Sequence, residues 1–176
     1  MLNVLLLFTL SLAEDIRANY KRCYDGDTCT VDIPIDNLPD IFSKNISVRI
    51  NGVDTPEIRG KCQLEKCLAY IARDMVRERL DGKEINLANV AKDKYFRVLA
   101  DLQYREDASS EWINIVDIII ANGLGVEYNG GTKTADYCSW ADDTPWYEYT
   151  TQCRETKACV EEEYQAGRPL KNRECS

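Results

Sequence analysis

Three short stretches of the 176-residue chain concentrate charged side chains that could bind metal ions and phosphate. They read DGDT at residues 25–28, RINGVDTPE at residues 49–57 and KDKYFR at residues 92–97. Taken singly, each has an ordinary structural interpretation: a tight turn, the start of a helix with acids in its first turn, and a solvated basic loop. Taken together, they are chemically complementary.

The acidic members of these stretches supply only oxygen ligands. Asp27, Asp54 and Glu57 suit Ca²⁺ or Mg²⁺ better than zinc. Arg49 and Arg97 each offer a planar fork of donors to a phosphate. A cation and two guanidinium groups would stabilise the anionic transition state of phosphoryl transfer, and a nearby carboxylate could take a proton from the attacking water.

The composition excludes several classes of enzyme. The chain contains no histidine, so Ser-His-Asp and Cys-His catalysis and His-ligated zinc sites are excluded. With 22 Lys and Arg against 30 Asp and Glu, the formal charge is −8. This balance argues against a protein that coats nucleic acid through a broad basic surface, but it leaves room for a local basic cleft.

The order and spacing of the three stretches resemble a known family. DGDT, then R-x-x-x-VDTPE, then DKY-x-R are similar to the thermonuclease family typified by staphylococcal nuclease. Residues 123–131 resemble the end of that domain in its Gram-negative members. The resemblance covers about residues 17–131 and implies a mainly β, α+β fold: a five-stranded OB-fold barrel with about three helices.

The resemblance also implies Ca²⁺-dependent hydrolysis of DNA and RNA that leaves 3′-phosphate ends. Asp27 and Asp54 match the carboxylates that bind calcium, and the backbone carbonyl of Thr55 matches a third ligand. Glu57 matches the residue that orients or deprotonates the attacking water.

The substrate would be held by the remaining matched residues. Arg49 and Arg97 match the phosphate clamps. Lys94, Tyr95 and Tyr128 match positions that hold the terminal phosphate and the base of a nucleotide. Phe96 departs from the family pattern, in which Gly is common, and is expected to reshape this loop. Neither Arg49 nor Glu57 is expected to belong to the core.

Other functions are compatible with the same residues. An OB-fold barrel could bind single-stranded nucleic acid by stacking and backbone charge without cutting it. A phosphodiesterase for small nucleotides and a structural secreted protein are further alternatives. Glu57 together with both arginines favours the nuclease, because a binding module needs no general base beside acidic metal ligands.

The elements that must position these residues are indicated by periodicity and turn signals. An Asp-Gly pair between β-forming residues predicts a hairpin, and an apolar stripe with helical spacing predicts a long helix that ends before Asp81-Gly82. The predicted elements are a hairpin over 17–35, strands near 46–53, 84–90 and 96–104, and helices over 61–81, 111–122 and 154–166.

The two ends of the chain differ from this central domain. Residues 1–13 have the apolar run and the small residues before a cleavage site that are typical of a signal peptide. Residues 14–131 form the predicted nuclease domain, and residues 132–176 form a cysteine-rich extension.

Eight cysteines predict up to four disulfides, with Cys23 and Cys29 able to face each other across the hairpin. We therefore expect a secreted or periplasmic monomer. Its predicted partners are DNA and RNA substrates, with no membrane and no stable protein partner.

Overall fold

The computed structural model describes residues 15–34, 39–95, 97–139, 141–150, 152 and 153. The predicted signal peptide, the predicted helix over 154–166 and two of the cysteines, Cys159 and Cys175, lie outside these residues. The described helices and strands run in the following order: β1 Ile16–Cys23, β2 Thr28–Asp32, α1 Asp40–Ser43, β3 Ile46–Ile50, β4 Gly52–Asp54, α2 Gln63–Leu80, β5 Glu84–Lys92, β6 Val98–Arg105, β7 Ile113–Asn114, α3 Ile115–Ala121 and β8 Val126–Tyr128.

Five strands close into a barrel. β1 pairs with β2, β2 with β3, and β5 with both β1 and β6, all antiparallel, while β3 and β6 pair in parallel and complete the circle. Residues that face inward are fully buried, among them Val31, Val48, Leu87 and Leu102. This arrangement confirms the predicted OB-fold barrel with three helices, and closure leaves the five strands without a free edge inside the barrel.

The hairpin between β1 and β2 carries the first charged stretch. Cys23 and Cys29 are paired in register and joined by a disulfide, as the sequence suggested. Both are fully buried. The backbone N–H of Tyr24 donates to the carbonyl of Thr28 at 2.8 Å, so the turn is closed by a backbone hydrogen bond as well as by the disulfide.

Helix α2 confirms the predicted apolar stripe and packs on two clusters. Ala72 and Val76, in its second half, are buried against the barrel. Leu64 and Leu68, in its first half, are buried in a smaller cluster with Tyr137 and Trp146. The helix begins after Cys62, whose sulfur accepts the Glu65 backbone N–H. One helix therefore connects the barrel core to the segment that follows it.

The third predicted strand is divided into two. β3 ends at Ile50, the chain turns at Asn51 and at Gly52, which has a φ of +88°, and β4 then pairs with β8 outside the barrel. A residue with a side chain would be strained at that φ. The break turns Asp54 away from the direction of β3.

The predicted helix over 111–122 begins later than expected. Ile113 pairs with Tyr104 at the edge of β6, and Asn114 caps α3 by accepting the Val116 N–H at 3.0 Å. Trp112 precedes α3 and shares no helix face; its ring contacts two guanidinium groups, Arg17 at 4.2 Å and Arg105 at 4.6 Å. Strand pairing and these cation–π contacts outweigh the local helical pattern.

The described part of the cysteine-rich extension is fastened to α2. Disulfides join Cys62 to Cys138 and Cys67 to Cys153. The ring of Trp146 packs against that of Tyr137 with centroids 4.8 Å apart. A 3-10 helix follows at Tyr147–Tyr149. In the part of the chain that the structure describes, no helix combines the length and apolarity needed to cross a membrane.

Candidate active site

Asp27 is positioned by close packing of the hairpin turn against neighbouring residues. A Cβ at Gly26 would lie 2.9 Å from the Cγ2 of Thr55 and 3.0 Å from the Cβ of Ala72, so the turn is packed against α2 and the residue that follows β4. Asp27 is buried, and its Oδ2 accepts the Thr55 backbone N–H at 3.1 Å. Glycine at position 26 therefore lets the carboxylate reach the end of β4.

Asp25 lies in the same turn and has an altered acidity. Burial and, secondarily, the charge of Asp27 raise the pKa of Asp25 to about 7. The turn therefore brings two carboxyl groups together where burial and mutual repulsion disfavour charge on both. A bound cation would relieve this repulsion.

Arg49 projects from β3 into the centre of the site and is bound mainly to the protein itself. Its guanidinium donates to the carbonyls of Ile50 at 2.6 Å and Val53 at 2.7 Å, and its Nη2 lies 3.1 Å from Asp27 Oδ2. The residue is only 8% exposed. The expectation that Arg49 lies outside the core is wrong, since its donors satisfy carbonyls at the bend between β3 and β4.

Asp54 and Thr55, at the end of β4, present buried oxygens. Among the described residues, neither Asp54 Oδ1 nor Thr55 Oγ1 has a hydrogen-bond partner. The Asp54 backbone carbonyl accepts the hydroxyl of Tyr137 at 2.7 Å. Burial raises the pKa of the Asp54 carboxyl, and contact with the Lys133 ammonium only partly offsets this rise.

These oxygens fit a hard divalent cation. Asp27 and Asp54 supply carboxylates, and Asp54 Oδ1 is a buried acceptor with no hydrogen bond among the described residues. An all-oxygen donor set of this kind is the type that Ca²⁺ and Mg²⁺ bind. The backbone carbonyl of Thr55 is predicted as a third ligand. Thr55 is held next to Asp27 by the hydrogen bond from its backbone N–H to the Asp27 carboxylate.

Glu57 lies at the mouth of this region and remains accessible. Its side chain is 54% exposed. Its Oε1 accepts a hydrogen bond at 2.6 Å from Lys133, a residue of the predicted extension. The Lys133 ammonium also lies 2.7 Å from Asp54 Oδ1, as an ion pair. One lysine therefore bridges a predicted metal ligand and the predicted general base.

The third charged stretch is ordered by Asp93. The Asp93 carboxylate accepts the backbone N–H groups of Tyr95 and Arg97, each at 2.8 Å, and the Nε of Arg97 at 2.7 Å. Burial raises the pKa of the Asp93 carboxyl, but these hydrogen bonds outweigh burial and lower it overall. The turn holds Arg97 with a third of its side chain exposed and leaves Tyr95 67% exposed.

A single open cleft of about 890 Å³ joins the three stretches. Asp54 and Thr55 are buried behind its wall, in contact with Lys133 and Asp27 respectively. All nine predicted site residues are thus brought to one place. Those that line the cleft itself are Asp27, Arg49, Glu57, Lys94, Tyr95, Arg97 and Tyr128. Phe96, the departure in the loop, lies outside the described residues.

Aromatic rings border the cleft. Tyr24 is 52% exposed and Tyr95 is 67% exposed. The ring of Tyr128 lies 6.0 Å from the Arg49 guanidinium, and its hydroxyl donates to the carbonyl of Gly131 at 2.8 Å. Exposed rings beside cationic groups are suited to stacking against bases.

Sequence reasoning missed four contributors to this site: Lys133, Tyr137, Asp93 and Tyr24. Asp93 was visible inside the KDKYFR stretch, where an acid among basic residues is a signal for a loop brace. Tyr24 adjoins the DGDT turn. Lys133 and Tyr137 carried no local signal, because their partners lie 79 and 83 positions away, at Asp54.

Comparison with known proteins gives one family. A family model described as staphylococcal nuclease homologue matches residues 47–142, more than half of the chain. A probable endonuclease of Schizosaccharomyces pombe is 30% identical over 92 residues, which are 52% of this chain and 40% of that protein. The chain therefore spans less than half the length of that relative.

The family match covers most of the residues that form the cleft. The matched range contains Asp54, Glu57, Arg97 and Lys133, while Asp27 and its hairpin precede it. The barrel that carries them has the fold that the motifs predicted. The chain belongs to the staphylococcal nuclease homologue family.

Proposed function

We propose that this chain is a secreted, Ca²⁺-dependent nuclease that hydrolyses phosphodiester bonds of DNA and RNA and leaves 3′-phosphate ends. The observation that carries the proposal is the convergence on one cleft of the buried carboxylates of Asp27 and Asp54, the accessible Glu57 and the partly exposed Arg97. Family membership and the endonuclease relative support nuclease activity in general.

Asp27 and Asp54, with the Thr55 carbonyl, would hold the calcium ion. When bound, that ion neutralises charge on the phosphate. The ion is also expected to relieve the repulsion between the acidic groups that the Asp25–Asp27 turn and Asp54 bring together.

The remaining chemistry falls to side chains of the cleft. Glu57 takes a proton from the attacking water, which adds to phosphorus as the bond to the 5′-oxygen breaks. The departing 5′-oxygen takes up a proton from solvent and leaves as a hydroxyl group. Arg97 donates to the phosphate as negative charge grows on it. Arg49 donates hydrogen bonds to backbone carbonyls and pairs with Asp27, and these contacts hold the bend between β3 and β4. The part of its guanidinium that lines the cleft faces the phosphate.

Substitution of Glu57 tests the mechanism. Because Glu57 is exposed, Glu57→Gln should fold normally while kcat falls by about 10²–10⁴, the range for loss of a general base. The assay is cleavage of plasmid DNA and of RNA with Ca²⁺ and with EGTA, and circular dichroism checks the fold. Near-wild-type cleavage by the folded variant would refute Glu57 as the base.

A non-catalytic module that binds single strands is the second candidate. The exposure of Tyr24 and Tyr95 at the cleft favours it, since exposed rings are stacking platforms. The two candidates separate in one comparison: a nuclease cuts with Ca²⁺ and leaves ends that become ligatable only after 3′-phosphatase treatment, whereas a module binds the same strands and returns them intact.

The location of the protein is a separate proposal. Disulfides at Cys23–Cys29, Cys62–Cys138 and Cys67–Cys153 support folding in an oxidising compartment. The apolar run in residues 1–13 supports export. N-terminal sequencing of the protein recovered outside the cytoplasm should begin at Glu14, and recovery of an uncleaved chain from the cytoplasm would contradict export.

A further inference from the structure

The Lys133 ammonium forms ion pairs with two acidic side chains of the site. It lies 2.7 Å from Asp54 Oδ1 and 2.6 Å from Glu57 Oε1. Asp54 Oδ1 is buried and accepts no hydrogen bond within the described residues, so the ion pair is its principal compensation. The lysine therefore contacts the same oxygen that makes the site suitable for a divalent cation.

The Lys133 ammonium is paired with two carboxylates at once, those of Asp54 and Glu57. The other cation near Asp54, Arg49, lies at 3.9 Å from Oδ1 and is closer to Asp27, at 3.1 Å. Lys133 is consequently the nearest positive charge to Asp54 among the described residues.

The backbone around Lys133 is held on both sides. Before it, Tyr128 donates to the Gly131 carbonyl, and after it Tyr137 donates to the Asp54 carbonyl and Cys138 is bonded to Cys62. The side chain itself is 46% exposed. A fixed backbone with a flexible, half-exposed side chain lets the ammonium leave Asp54 without moving the segment.

We propose that Lys133 is a built-in counter-cation that a divalent metal ion must displace from Asp54, so that this residue sets the metal affinity of the site. The inference rests on the proposed function, because it assigns the metal to Asp27 and Asp54. Two cations cannot both contact one buried carboxylate oxygen at ion-pair distance without strong repulsion. Binding of the metal ion therefore breaks the ion pair between Lys133 and Asp54.

Calorimetric titration with Ca²⁺ tests this inference without relying on activity. Lys133→Met should bind Ca²⁺ at least about five-fold more tightly than the wild type, the lower end of typical coupling between two ligands. Lys133→Gln is a second neutral variant, and Lys133→Arg, which keeps the charge, should stay near the wild-type affinity. In EGTA, the neutral variants should melt at lower temperature because Asp54 and Glu57 lose their counter-ion.

A matched control separates contact from net charge. Lys44→Met removes one positive charge and an exposed ion pair with Asp40, and neither residue lines the cleft, so it should leave Ca²⁺ affinity unchanged. The gain in affinity of Lys133→Met should also persist at high NaCl concentration, because a short contact to a buried oxygen is screened less than a long-range effect.

The outcomes distinguish this inference from the proposed function. Equal or weaker Ca²⁺ binding by the folded Lys133→Met and Lys133→Gln variants, with cleavage by the wild type intact, overturns the counter-cation and leaves the nuclease standing. A gain that Lys44→Met reproduces, or that high salt abolishes, also overturns it. A wild type that neither binds Ca²⁺ nor cleaves nucleic acid overturns both.

Discussion

The barrel and the segment after β8 contribute to one cleft in different ways. On the barrel, Asp27 and Arg49 are at most 8% exposed and are held by backbone hydrogen bonds. In the following segment, Lys133 has 46% of its side chain exposed and contacts the carboxylates of Asp54 and Glu57. The barrel therefore fixes the positions of its buried charged side chains. The segment after β8 adds one half-exposed positive charge that compensates the acidic groups of the cleft.

The two regions also differ in what holds them. The barrel closes through continuous strand pairing around a buried apolar core. The segment has a small cluster around Tyr137 and Trp146, and two disulfides fasten it to α2. In the segment after β8, disulfides supply stability that apolar burial alone cannot, because burial there is too small to offset the entropy of ordering the chain.

Removal of Arg49 should lower both stability and activity, and this combined effect should be the largest. In Arg49→Ala, Asp27 loses its ion pair and the carbonyls of Ile50 and Val53 lose their donor. We expect a loss of about 3 kcal/mol in the free energy of unfolding, as for a broken buried ion pair. The kcat should fall by about 10²–10³.

Urea denaturation and cleavage kinetics on the same preparation measure both effects of Arg49→Ala. Lys44→Met, which loses an exposed ion pair, serves as the control and should change neither appreciably. An Arg49→Ala variant as stable as the wild type would show that the bend between β3 and β4 does not depend on the guanidinium.

Loss of the disulfides should separate the two regions. Mild reduction should open Cys62–Cys138 and Cys67–Cys153 before Cys23–Cys29. Cys23 and Cys29 are both fully buried, whereas each of the other bridges has at least one partly exposed cysteine. Limited proteolysis with dithiothreitol should then begin beyond about Tyr128 and leave the barrel as a fragment. Simultaneous digestion of barrel and segment would contradict their independence.

Single disulfides sharpen the same comparison. Replacing Cys62 and Cys138 by serine frees the chain next to Tyr137 and Lys133, whereas replacing Cys67 and Cys153 leaves that part tied. The first pair of substitutions should therefore change Ca²⁺ affinity, and the second should change it little.

Removal of one hydroxyl should give the smallest effect. Tyr137 is buried, and its hydroxyl donates to the Asp54 carbonyl at 2.7 Å. Tyr137→Phe keeps the packing against Trp146 and should cost about 1 kcal/mol in the free energy of unfolding. Thermal melts against the wild type measure the cost. An unchanged melting temperature would mean that water replaces the hydroxyl and that the segment does not brace Asp54.

Local patterns predicted much of the barrel because local forces determine those elements. The apolar stripe of α2 and the Asp-Gly turn between Cys23 and Cys29 are strong signals, and both are confirmed. The motif residues share one cleft because they lie near the ends of neighbouring strands. The start of α3 was placed too early, since pairing of Ile113 with Tyr104 is a tertiary contact.

The part of the site contributed by Lys133 and Tyr137 could not be predicted in this way. A lone lysine in a polar segment has no periodicity, and its role depends on Asp54, which is distant in sequence. The buried state of Arg49 was also missed, because arginine is usually exposed and its carbonyl partners arise from a bend that only the folded chain shows.

A calcium titration followed by two readouts tests the central claim, that Asp27 and Asp54 hold the ion used in cleavage. Because the acidic groups of the site repel one another, bound Ca²⁺ should raise the melting temperature as it restores DNA cleavage, with the same half-saturating concentration for both. Asp54→Asn should abolish both responses. An unchanged melting temperature across a titration that restores cleavage would contradict the shared site.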